Sequence, residues 1–337
     1  MILARSTEQA QIREVYITGL VNNWLEEHGI SLAASKTDVM VLTRQRHYGD
    51  LVSLEVTEET VVAAPGARYL GVHVDKKLRH WSHILKAADK ASTMVAKLSR
   101  LMPNNKGPSE RQRKTLMSVA HSIMLYGSEI WVRALNIQKY EYRKRIVSVQ
   151  RRYALCIASA YRTVSASAVM VVAEVIPIFR LAMERKGVYE RSQVKEDRQA
   201  VRAKERARTL SEWQQCWSTD TRGRWTVRLI GEVAPWSGRR HEEVNFYLTE
   251  FFTGHRHLNA YLNLRNRKEN EFCDYCHTEI DNVEHTFYEC DRWVYKKHDL
   301  ETIFGHALIF LNTVTTTLRN QEDWESVVSY VDSILRQ

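Results

Sequence analysis

Three cysteines and one histidine near the C-terminus have the residue types and the spacing of metal ligands. Cys273 and Cys276 form a C-x-x-C pair, His285 follows after eight residues, and Cys290 follows after four more. A C-x-x-C turn brings two thiolates to one ion, and the H-x₄-C pair supplies the other two ligands of a tetrahedral Zn²⁺. Four protein ligands close the coordination shell. The spacing therefore predicts a structural zinc knuckle and not a catalytic zinc.

A plainer interpretation of these residues is a set of buried free cysteines beside an incidental histidine. His277 directly follows Cys276 and is a competing ligand, although its position would strain the geometry. Cys156, in an apolar helical stretch, and Cys216, between two tryptophans, are expected in the core. Five cysteines make no disulfide framework in a chain of this size, so an intracellular location, in the nucleus or the cytoplasm, is expected.

The composition favours an anionic partner over a membrane. The 337 residues include 49 Lys and Arg against 40 Asp and Glu, a formal net charge of +9, which favours a nucleic acid. No apolar run reaches the ~18–20 residues that span a bilayer, and the N-terminal residues have no hydrophobic signal core. The sequence has no glycine-rich phosphate loop and no Gly-x-Ser-x-Gly elbow. No small-molecule substrate is expected.

Local patterns predict an α+β, predominantly helical chain. Residues 6–28 have helical periodicity, with Ser6 and Gln9 as a capping box. Three strands rich in β-branched or alternating apolar residues are predicted next: Thr37–Arg44, Leu51–Thr57 and Arg68–Asp75. Long helices of a bundle are then predicted over 82–101, 109–126 and 137–160. A C-terminal packing helix is predicted from Trp324 to Leu335.

The most highly charged stretch, residues 180–210, has two interpretations. One is a solvated helix held by ion pairs at i,i+4 spacing, and the other is a helix that contacts phosphates. Residues 218–241 are rich in Gly and Arg and include two Trp residues. We interpret them as a connector at a domain boundary.

Several segments resemble the reverse transcriptases of non-LTR (LINE-like) retrotransposons. Gly29–Thr37, followed by an apolar strand, is similar to the fourth palm motif, and Tyr69–Val72 with Asp75 is similar to the next palm motif. Segments similar to the thumb, to the region after it and to the approach to the knuckle are Ser122–Trp131, Gln150–Leu155, Ala160–Ser165 and Leu248–Leu262. The resemblance covers most of the chain up to about residue 305.

The resemblance implies four parts: a palm remnant (1–79), a helical thumb (80–175), a basic helical connector (176–240) and a zinc-knuckle region with a C-terminal helix (241–337). In this family the polymerase aspartates precede the helix that here begins at Ser6. The sequence contains no adjacent aspartate pair, whereas two-metal phosphoryl transfer needs clustered carboxylates around Mg²⁺. We therefore expect a truncated, catalytically inactive fragment, with Mg²⁺ a cofactor only of the full-length parent, an RNA-directed DNA polymerase.

The resemblance and the charge pattern together give the expected nucleic-acid contacts. By resemblance, Lys36 matches a palm lysine beside the polymerase site, and Tyr69 and Gly71 lie in the strand that positions the primer end. Seven basic residues, opposed only by Glu141, form the expected electrostatic face of the thumb: Lys139, Arg143, Lys144, Arg145, Arg151, Arg152 and Arg162. The alternative for this face is an ordinary solvated bundle surface.

The sequence leaves two functions open. The first is a nucleic-acid-binding fragment of a retrotransposon RNA-directed DNA polymerase, with an RNA or DNA template–primer duplex as its partner. The second is a non-enzymatic protein-interaction module stabilised by zinc. Aromatic residues around the knuckle are expected either to stack on bases or to cover the zinc core. They are Phe272, Tyr275, Phe287, Tyr288 and Trp293.

Overall fold

The structure is a computed structural model that describes residues 2–43, 52–56, 59–137, 140–192, 197–239, 243–255 and 258–336. It divides into two compact units, Met1–Lys86 with Arg133–Gln138, and Ala87–Val132 with Lys139–Gln337. The described residues are mostly helical with two small antiparallel sheets, which confirms the α+β, predominantly helical prediction. The division into palm remnant, thumb, connector and knuckle region stays a prediction.

Four short strands of the first unit pair as two antiparallel hairpins. They are β1 (Ser53–Val56), β2 (Glu59–Val62), β3 (Gly66–Tyr69) and β4 (Val72–Asp75). β1 pairs with β2, and β3 pairs with β4. An isolated two-stranded hairpin is marginally stable. Most of the buried apolar residues of the described chain lie in the helices.

Fifteen α-helices make up most of the described chain. The first seven are α1 (Thr7–Glu27), α2 (Trp81–Ser99), α3 (Glu110–Leu125), α4 (Ser128–Ile137), α5 (Tyr140–Ile157), α6 (Ala166–Val172) and α7 (Ile178–Ser192). The others are α8 (Arg198–Ser218), α9 (Arg224–Leu229), α10 (Val233–Ser237), α11 (Phe246–Thr253), α12 (Asn259–Leu264), α13 (Val294–Phe304), α14 (Phe310–Thr317) and α15 (Gln321–Leu335). In none of these helices is there an apolar stretch of membrane-spanning length.

Side-chain caps explain where two of the predicted helices begin. The Ser6 hydroxyl accepts a hydrogen bond from the Gln9 backbone N–H (3.2 Å) at the start of α1. At the start of α3, Ser109 and Gln112 form a complete capping box, in which each side chain accepts a backbone N–H of the other residue. These bonds satisfy N–H groups that the first helical turn leaves unpaired. The predicted helices over 6–28, 82–101 and 109–126 are confirmed.

Two strand predictions differ from the structure. Residues 37–43, the described part of the predicted strand Thr37–Arg44, form no regular strand. The predicted strand Arg68–Asp75 is instead the β3–β4 hairpin, which turns at Leu70 (φ 45°) and Gly71 (φ 84°). Two consecutive positive φ angles match the right-handed twist of a hairpin, and Gly71 adopts its angle without the steric cost of a Cβ.

The charged stretch 180–210 forms two antiparallel helices, α7 and α8, and not one. Three ion pairs join them: Arg180–Glu212, Arg206–Glu184 and Arg191–Glu205. Ion pairing therefore holds this stretch, as the first interpretation expected, but these partners lie on the neighbouring helix. The Glu205 side chain is buried, and a Cβ at Gly187 on α7 would collide with its carboxylate. Glycine at position 187 thus allows the close approach of α8.

The predicted connector, residues 218–241, contributes side chains to the core of the second unit. The indole of Trp236 on α10 is fully buried, and its Nε1–H donates to the Val171 carbonyl oxygen (2.8 Å). The Trp236 ring lies 4.8 Å from the Phe252 ring and 6.1 Å from the Trp324 ring, centroid to centroid. Trp324 belongs to α15, so the predicted C-terminal packing helix is confirmed.

A buried ion cluster lies beside these aromatic rings. The side chains of Glu110 and Arg239 are 1% and 2% exposed, and their charged groups lie 3.3 Å apart. Lys114 pairs with Glu110 (2.8 Å) and with Glu174 (2.7 Å), and Glu174 also pairs with Arg239. The Val244 N–H donates to the second Glu110 oxygen (2.6 Å). The cluster joins α3, the α6–α7 loop and the segment after α10.

A second buried cation, Arg113, has carbonyl partners instead of a carboxylate. Its guanidinium donates to the backbone oxygens of Pro108 (2.7 Å), Pro103 (2.5 Å) and Cys156 (3.0 Å). Burial is the main cause that lowers the Arg113 pKa. The side chain thus fixes the loop before α3 against the C-terminal end of α5, where a cation also complements the helix dipole.

We predict that Arg239→Met will reduce the free energy of unfolding by about 3–5 kcal/mol, because it leaves the buried Glu110 carboxylate without its closest buried cation. Urea denaturation measures this change. The control Arg111→Met removes a surface cation paired with Glu243 (3.4 Å), which should cost less than about 1 kcal/mol. Equal small losses in both variants would contradict the structural role of the cluster.

We also predict an acid-sensitive contribution from His121 on α3. Burial, followed by the nearby charge of Arg185, lowers the pKa of His121 to about 4, whereas an unfolded histidine titrates near about 6.5. The unfolded chain therefore binds the proton more readily, so this contribution is complete above about pH 6.5 and is lost as the pH falls toward about 4.

The variant His121→Gln stays neutral and should flatten the loss of stability between those pH values, by at most roughly 3 kcal/mol. Urea denaturation at a series of pH values tests this. His298→Gln, which changes an exposed histidine on α13, is the control. A pH profile of the His121 variant parallel to that of the unchanged protein would refute the assignment.

Candidate metal centre and nucleic-acid surface

A tight turn positions the first two cysteines of the predicted knuckle. The Cys273 N–H donates to the Glu279 carbonyl oxygen (2.8 Å), and the His277 N–H donates back to the Cys273 oxygen (2.9 Å). His277 closes the turn in a left-handed conformation, with φ 60°. His277 is not a member of the metal-ligand cluster found among the described residues. We therefore assign His277 a role in the backbone geometry of the turn.

A π-helical turn, His285–Glu289, positions the third ligand. The Asn282 side chain accepts the His285 N–H (2.9 Å), and the Cys290 N–H donates to the His285 carbonyl oxygen (2.8 Å). Within this turn Phe287 and Tyr288 are buried. The wide π-helical turn thus places the imidazole on the side of the cysteines while the two aromatic rings enter the core.

Three of the four predicted ligands form one cluster, and the fourth, Cys290, lies beside Cys273. The ligand atoms of Cys273, Cys276 and His285 all lie within 4.8 Å of one another. The His285 Nε2 atom is 3.4 Å from the Cys276 Sγ atom, and the Cys273 and Cys290 Sγ atoms are 3.9 Å apart. The cluster can hold a metal ion.

Two of the predicted ligands, Cys276 and Cys290, have thiol pKa values that are shifted in opposite directions. Backbone N–H groups of Glu279 and then Thr278 lower the pKa of Cys276 to about 7. Burial raises the pKa of Cys290 to about 11. The donors around Cys276 favour its thiolate, which is the form that binds metal.

A buried asparagine, Asn259, supports the knuckle from outside, and it was not selected from the sequence. The Asn259 side chain donates to the Phe272 carbonyl oxygen (2.6 Å) and to Asp274 (3.0 Å), and accepts from Lys268 (2.7 Å). The Asn259 N–H donates to Asp281 (2.8 Å). These partners converge only in space, so no spacing pattern in the sequence indicates them.

The five aromatic residues around the knuckle divide into two groups. Phe287, Tyr288 and Trp293 are buried, whereas Phe272 and Tyr275 are exposed. The Phe287 ring lies 4.8 Å from the ring of Phe251 on α11, centroid to centroid. Burial therefore assigns the first three to the core and leaves only Phe272 and Tyr275 with accessible ring surface.

The other two cysteines are placed differently from the prediction. Cys216, expected in the core, is exposed on α8, and its Sγ atom lies 3.1 Å from an Arg180 guanidinium nitrogen. Cys156 is half-buried, and burial raises the pKa of its thiol. The two tryptophans that flank Cys216 in the helical sequence point to the buried side, because positions one turn apart share a face and intervening ones do not.

The predicted palm contacts lie at exposed turns of the first unit. Lys36 is exposed in the 3₁₀ turn Ala34–Lys36. Tyr69 is 70% exposed and directly precedes the turn of the β3–β4 hairpin, in which Gly71 lies. These three residues are accessible, and their nucleic-acid contacts stay a prediction.

The predicted basic face of the thumb contains both exposed and internally engaged arginines. Arg145 pairs with Asp89 (2.5 Å), and Arg152 donates to the Ser92 hydroxyl (2.9 Å), so both attach α5 to α2. Arg151 instead donates to the backbone oxygens of Arg162 and of Val164 (2.7 Å). It fixes the loop after α5.

The remaining members of this face are distributed along α5 and the following loop. The Arg143 guanidinium lies 4.6 Å from the centre of the Phe179 ring. Lys144 and Arg162 are exposed. Lys139 lies outside the described residues. Four cations of α5 are therefore exposed, namely Arg143, Lys144, Arg145 and Arg152.

Two aspartates, Asp75 and Asp89, have hydrogen-bond or ion-pair partners within the chain. The Asp75 carboxylate accepts the backbone N–H groups of Lys77 (3.0 Å), Arg79 (3.2 Å) and His80 (2.7 Å), just before α2. Asp89 pairs with Arg145 at the surface. Asp75 is therefore a turn residue, and Asp89 is a surface residue.

Comparison with known proteins identifies relatives over most of the chain. The retrovirus-related Pol polyprotein of the type-1 retrotransposable element R1 2 of Nasonia vitripennis is 26% identical over 320 residues, which is 87% of this chain and 76% of that protein. A Pol polyprotein of the R1 element of the same wasp is 26% identical over 275 residues, 75% of this chain and 80% of that protein.

A putative 115 kDa protein of the R1DM element of Drosophila melanogaster is 25% identical over 294 residues, or 81% of this chain, and the match spans 28% of that protein. No family model matches the chain, and no solved structure matches it. The resemblance identified from sequence motifs is confirmed: at modest identity, most of the chain is similar to the Pol polyproteins of R1 non-LTR retrotransposons.

Proposed function

We propose that the chain is the palm end, thumb and zinc knuckle of an R1-type reverse transcriptase, and that it holds a template–primer duplex without polymerising. The observation that carries this proposal is the alignment with R1 Pol polyproteins across 87% of the chain. Because the alignment includes both the predicted thumb and the knuckle, the two parts are proposed to act together on nucleic acid.

The duplex is proposed to bind along α5. Four cations are exposed there, and Arg145 and Arg152 also hold α5 against α2. Contacts of this kind neutralise phosphates without reading sequence, which suits a polymerase thumb that must follow any template. Arg151 is left out of the proposed phosphate contacts, because its guanidinium donates to backbone carbonyls. Its proposed role is to position Arg162.

The absence of polymerase activity is proposed from the carboxylates. The sequence has no adjacent aspartate pair, and the carboxylates of Asp75 and Asp89 are engaged by backbone N–H groups and by Arg145. Phosphoryl transfer through two Mg²⁺ ions requires carboxylates that converge on the metals. Mg²⁺ is accordingly proposed only for a polymerase that contains the catalytic aspartates.

Zinc is proposed as the ion of the knuckle. Zn–S bonds of about 2.3 Å and Zn–N bonds of about 2.0–2.1 Å give tetrahedral edges of about 3.8 Å between two sulfurs and about 3.6 Å between sulfur and nitrogen. The separations of 3.9 Å for Cys273–Cys290 and 3.4 Å for Cys276–His285 are close to these edges. Three thiolates and one imidazole suit zinc, and they would leave no open position for substrate.

A zinc-stabilised protein-interaction module is the second candidate. The observation in its favour is an apolar surface on α13, just after the knuckle, where Tyr295 is 83% exposed and Ile303 is 63% exposed. In this alternative the same metal would hold α13 in place, and the cations of α5 would have no ligand.

We predict one zinc ion per purified chain, and Cys276→Ser should lose it. Cys276 is only half-buried, so the change removes a ligand without opening a cavity. Because metal binding energy becomes folding energy in such modules, the thermal midpoint should fall. Elemental analysis by mass spectrometry and a thermal melt measure the two effects.

The matched control is Cys216→Ser, which alters an exposed cysteine remote from the cluster in the sequence. It should retain zinc and the original midpoint. Full zinc occupancy in the Cys276 variant, or a metal-free wild-type chain with an unchanged midpoint, would contradict the proposal.

We predict salt-sensitive binding of an RNA–DNA duplex, measured by fluorescence anisotropy. The double variant Arg145→Ala/Arg152→Ala should bind roughly tenfold more weakly, and the slope of log K against log salt should fall by about 2, one for each phosphate contact. The charge-matched control Lys204→Ala/Arg319→Ala, which changes two exposed cations outside this face, should bind like the unchanged chain.

Equal loss in the two double variants would show that only net charge matters. No duplex binding at low salt would favour the protein-interaction alternative. The same preparation should not extend a primer in the presence of Mg²⁺ and nucleotides, and extension by the isolated chain would overturn the proposed inactivity.

A further inference from the structure

A cleft between α7 and α8 forms a second cationic surface in the second unit. It has a volume of about 630 Å³ and is open to solvent. Four arginines line it, namely Arg185, Arg198, Arg202 and Arg206, against the two glutamates Glu129 and Glu184. Tyr189 also lines the cleft, and its side chain is 57% exposed.

The arginines of this cleft differ in whether their guanidinium groups have a partner among the described residues. Arg206 pairs with Glu184 (2.9 Å), and Arg185 donates to the Leu125 carbonyl oxygen (3.2 Å). For Arg198 and Arg202 the described residues offer neither an ion pair nor a side-chain hydrogen bond. Both side chains are exposed. Two positive charges are therefore left over at one end of the cleft.

Among the described residues of the helix pair, three glutamates that could pair with these cations are engaged by other arginines, the first being Glu184, which pairs with Arg206. Glu205 pairs with Arg191 (3.0 Å) and Arg208 (2.6 Å), and Glu212 pairs with Arg180. Arg198 and Arg202 also lie one turn apart on α8, where like charges repel and weaken a helix. Two adjacent exposed cations, in a cleft where four arginines face only the two glutamates Glu129 and Glu184, fit an anionic ligand.

The geometry favours a single strand over a duplex. Arg198, Arg202 and Arg206 repeat every four residues, which places them about 6 Å apart along one face of α8. Each guanidinium can then address a different phosphate of one strand, and its planar fork suits phosphate oxygens. A cleft of this size lies within the range of small-ligand pockets, so it admits a few nucleotides and not a helical duplex.

The exposed tyrosine supplies the complementary contact. The Tyr189 ring is more than half accessible at the wall of a cationic cleft, and base–aromatic stacking needs an unpaired base with a free face. An acidic or phosphorylated peptide could use the arginines but would gain less from the ring. The combination of an exposed ring for stacking and arginines for phosphates favours a nucleic acid over a peptide.

We propose that the α7–α8 cleft binds a single-stranded nucleic acid, with Arg198 and Arg202 on consecutive phosphates and Tyr189 stacked on a base. The proposal rests on the nucleic-acid function proposed above and adds a second site to the duplex face of α5. The strand bound there is a segment that is not paired with the primer.

The test uses the full chain and a labelled, 12-nucleotide single-stranded RNA of mixed sequence in fluorescence anisotropy. Arg198→Ala/Arg202→Ala should weaken binding roughly tenfold and lower the salt slope by about 1.4, as two single-strand phosphate contacts require. Tyr189→Ala should weaken binding about tenfold with an unchanged salt slope, since stacking releases no counterions. The altered side chains are exposed, so the circular dichroism spectrum and the thermal midpoint should not change.

The two double variants serve as controls for each other. Arg198→Ala/Arg202→Ala should leave affinity for the RNA–DNA duplex within about twofold, and Arg145→Ala/Arg152→Ala should do the same for the single strand, if the sites are separate. Single-strand binding that survives in the cleft variants would overturn this proposal while the duplex function stands. A chain that binds the single strand through the cleft but no duplex would leave this proposal standing while the duplex function fails.

A labelled phosphoserine peptide provides the remaining comparison. If it binds more tightly than the RNA and is released by Arg198→Ala/Arg202→Ala, the cleft is a peptide site and the proposal is wrong. Weaker peptide binding that is insensitive to Tyr189→Ala, beside RNA binding that depends on Tyr189, supports it.

Discussion

The buried pair of Glu110 and Arg239 is the interaction on which the packing of the second unit depends. A carboxylate 1% exposed would be strongly unfavourable without charged and N–H partners. Glu110 obtains them from Arg239, from Lys114 and from the Val244 backbone. Because Arg239 and Val244 lie far from Glu110 in the sequence, satisfying this carboxylate fixes α3 against the chain after α10, and Glu174, paired with Lys114 and Arg239, adds the loop after α6.

The aromatic residues around the cluster extend this constraint to the C-terminus. The Arg239 guanidinium lies 4.1 Å from the centre of the Trp236 ring. Trp236 in turn contacts Phe252 on α11 and Trp324 on α15. The cation is thus covered by apolar surface, which raises the cost of removing its partner. The same rings connect the ion cluster to the helices that carry the knuckle.

The candidate metal centre shares its core with those helices. Tyr330 on α15 donates to the Phe287 carbonyl oxygen (2.5 Å), and the Tyr288 hydroxyl is hydrogen-bonded to Thr313 on α14 (2.8 Å). Phe287 and Tyr288 belong to the π-helical turn that positions His285. An ion held by the cluster would therefore stabilise more than the knuckle loop. The ion would hold in place the turn whose aromatic rings fill the space between α11, α14 and α15.

Some cations of the chain form contacts that hold the fold, whereas others are available to a ligand. Arg113, Arg151 and Arg239 use their guanidinium groups on carbonyls or carboxylates within the chain. Arg198 and Arg202 line a cleft in which Glu184 is already paired with Arg206. The net charge of +9 alone does not separate these roles. The separation depends on which acidic and carbonyl groups the fold brings within reach.

The sequence by itself determined features that depend on local spacing: the cluster of Cys273, Cys276 and His285, the cap at Ser6, the helices over 6–28, 82–101 and 109–126, and the similarity to non-LTR retrotransposon proteins. It did not reveal that the segment Arg68–Asp75 turns at Leu70 and Gly71, that Cys216 faces solvent, or that Asn259 supports the knuckle. Nor could it tell an arginine that binds carbonyls from one that is free. Ligand spacing and helix caps act over a few residues, whereas burial and ion pairing depend on residues that meet only in the tertiary structure.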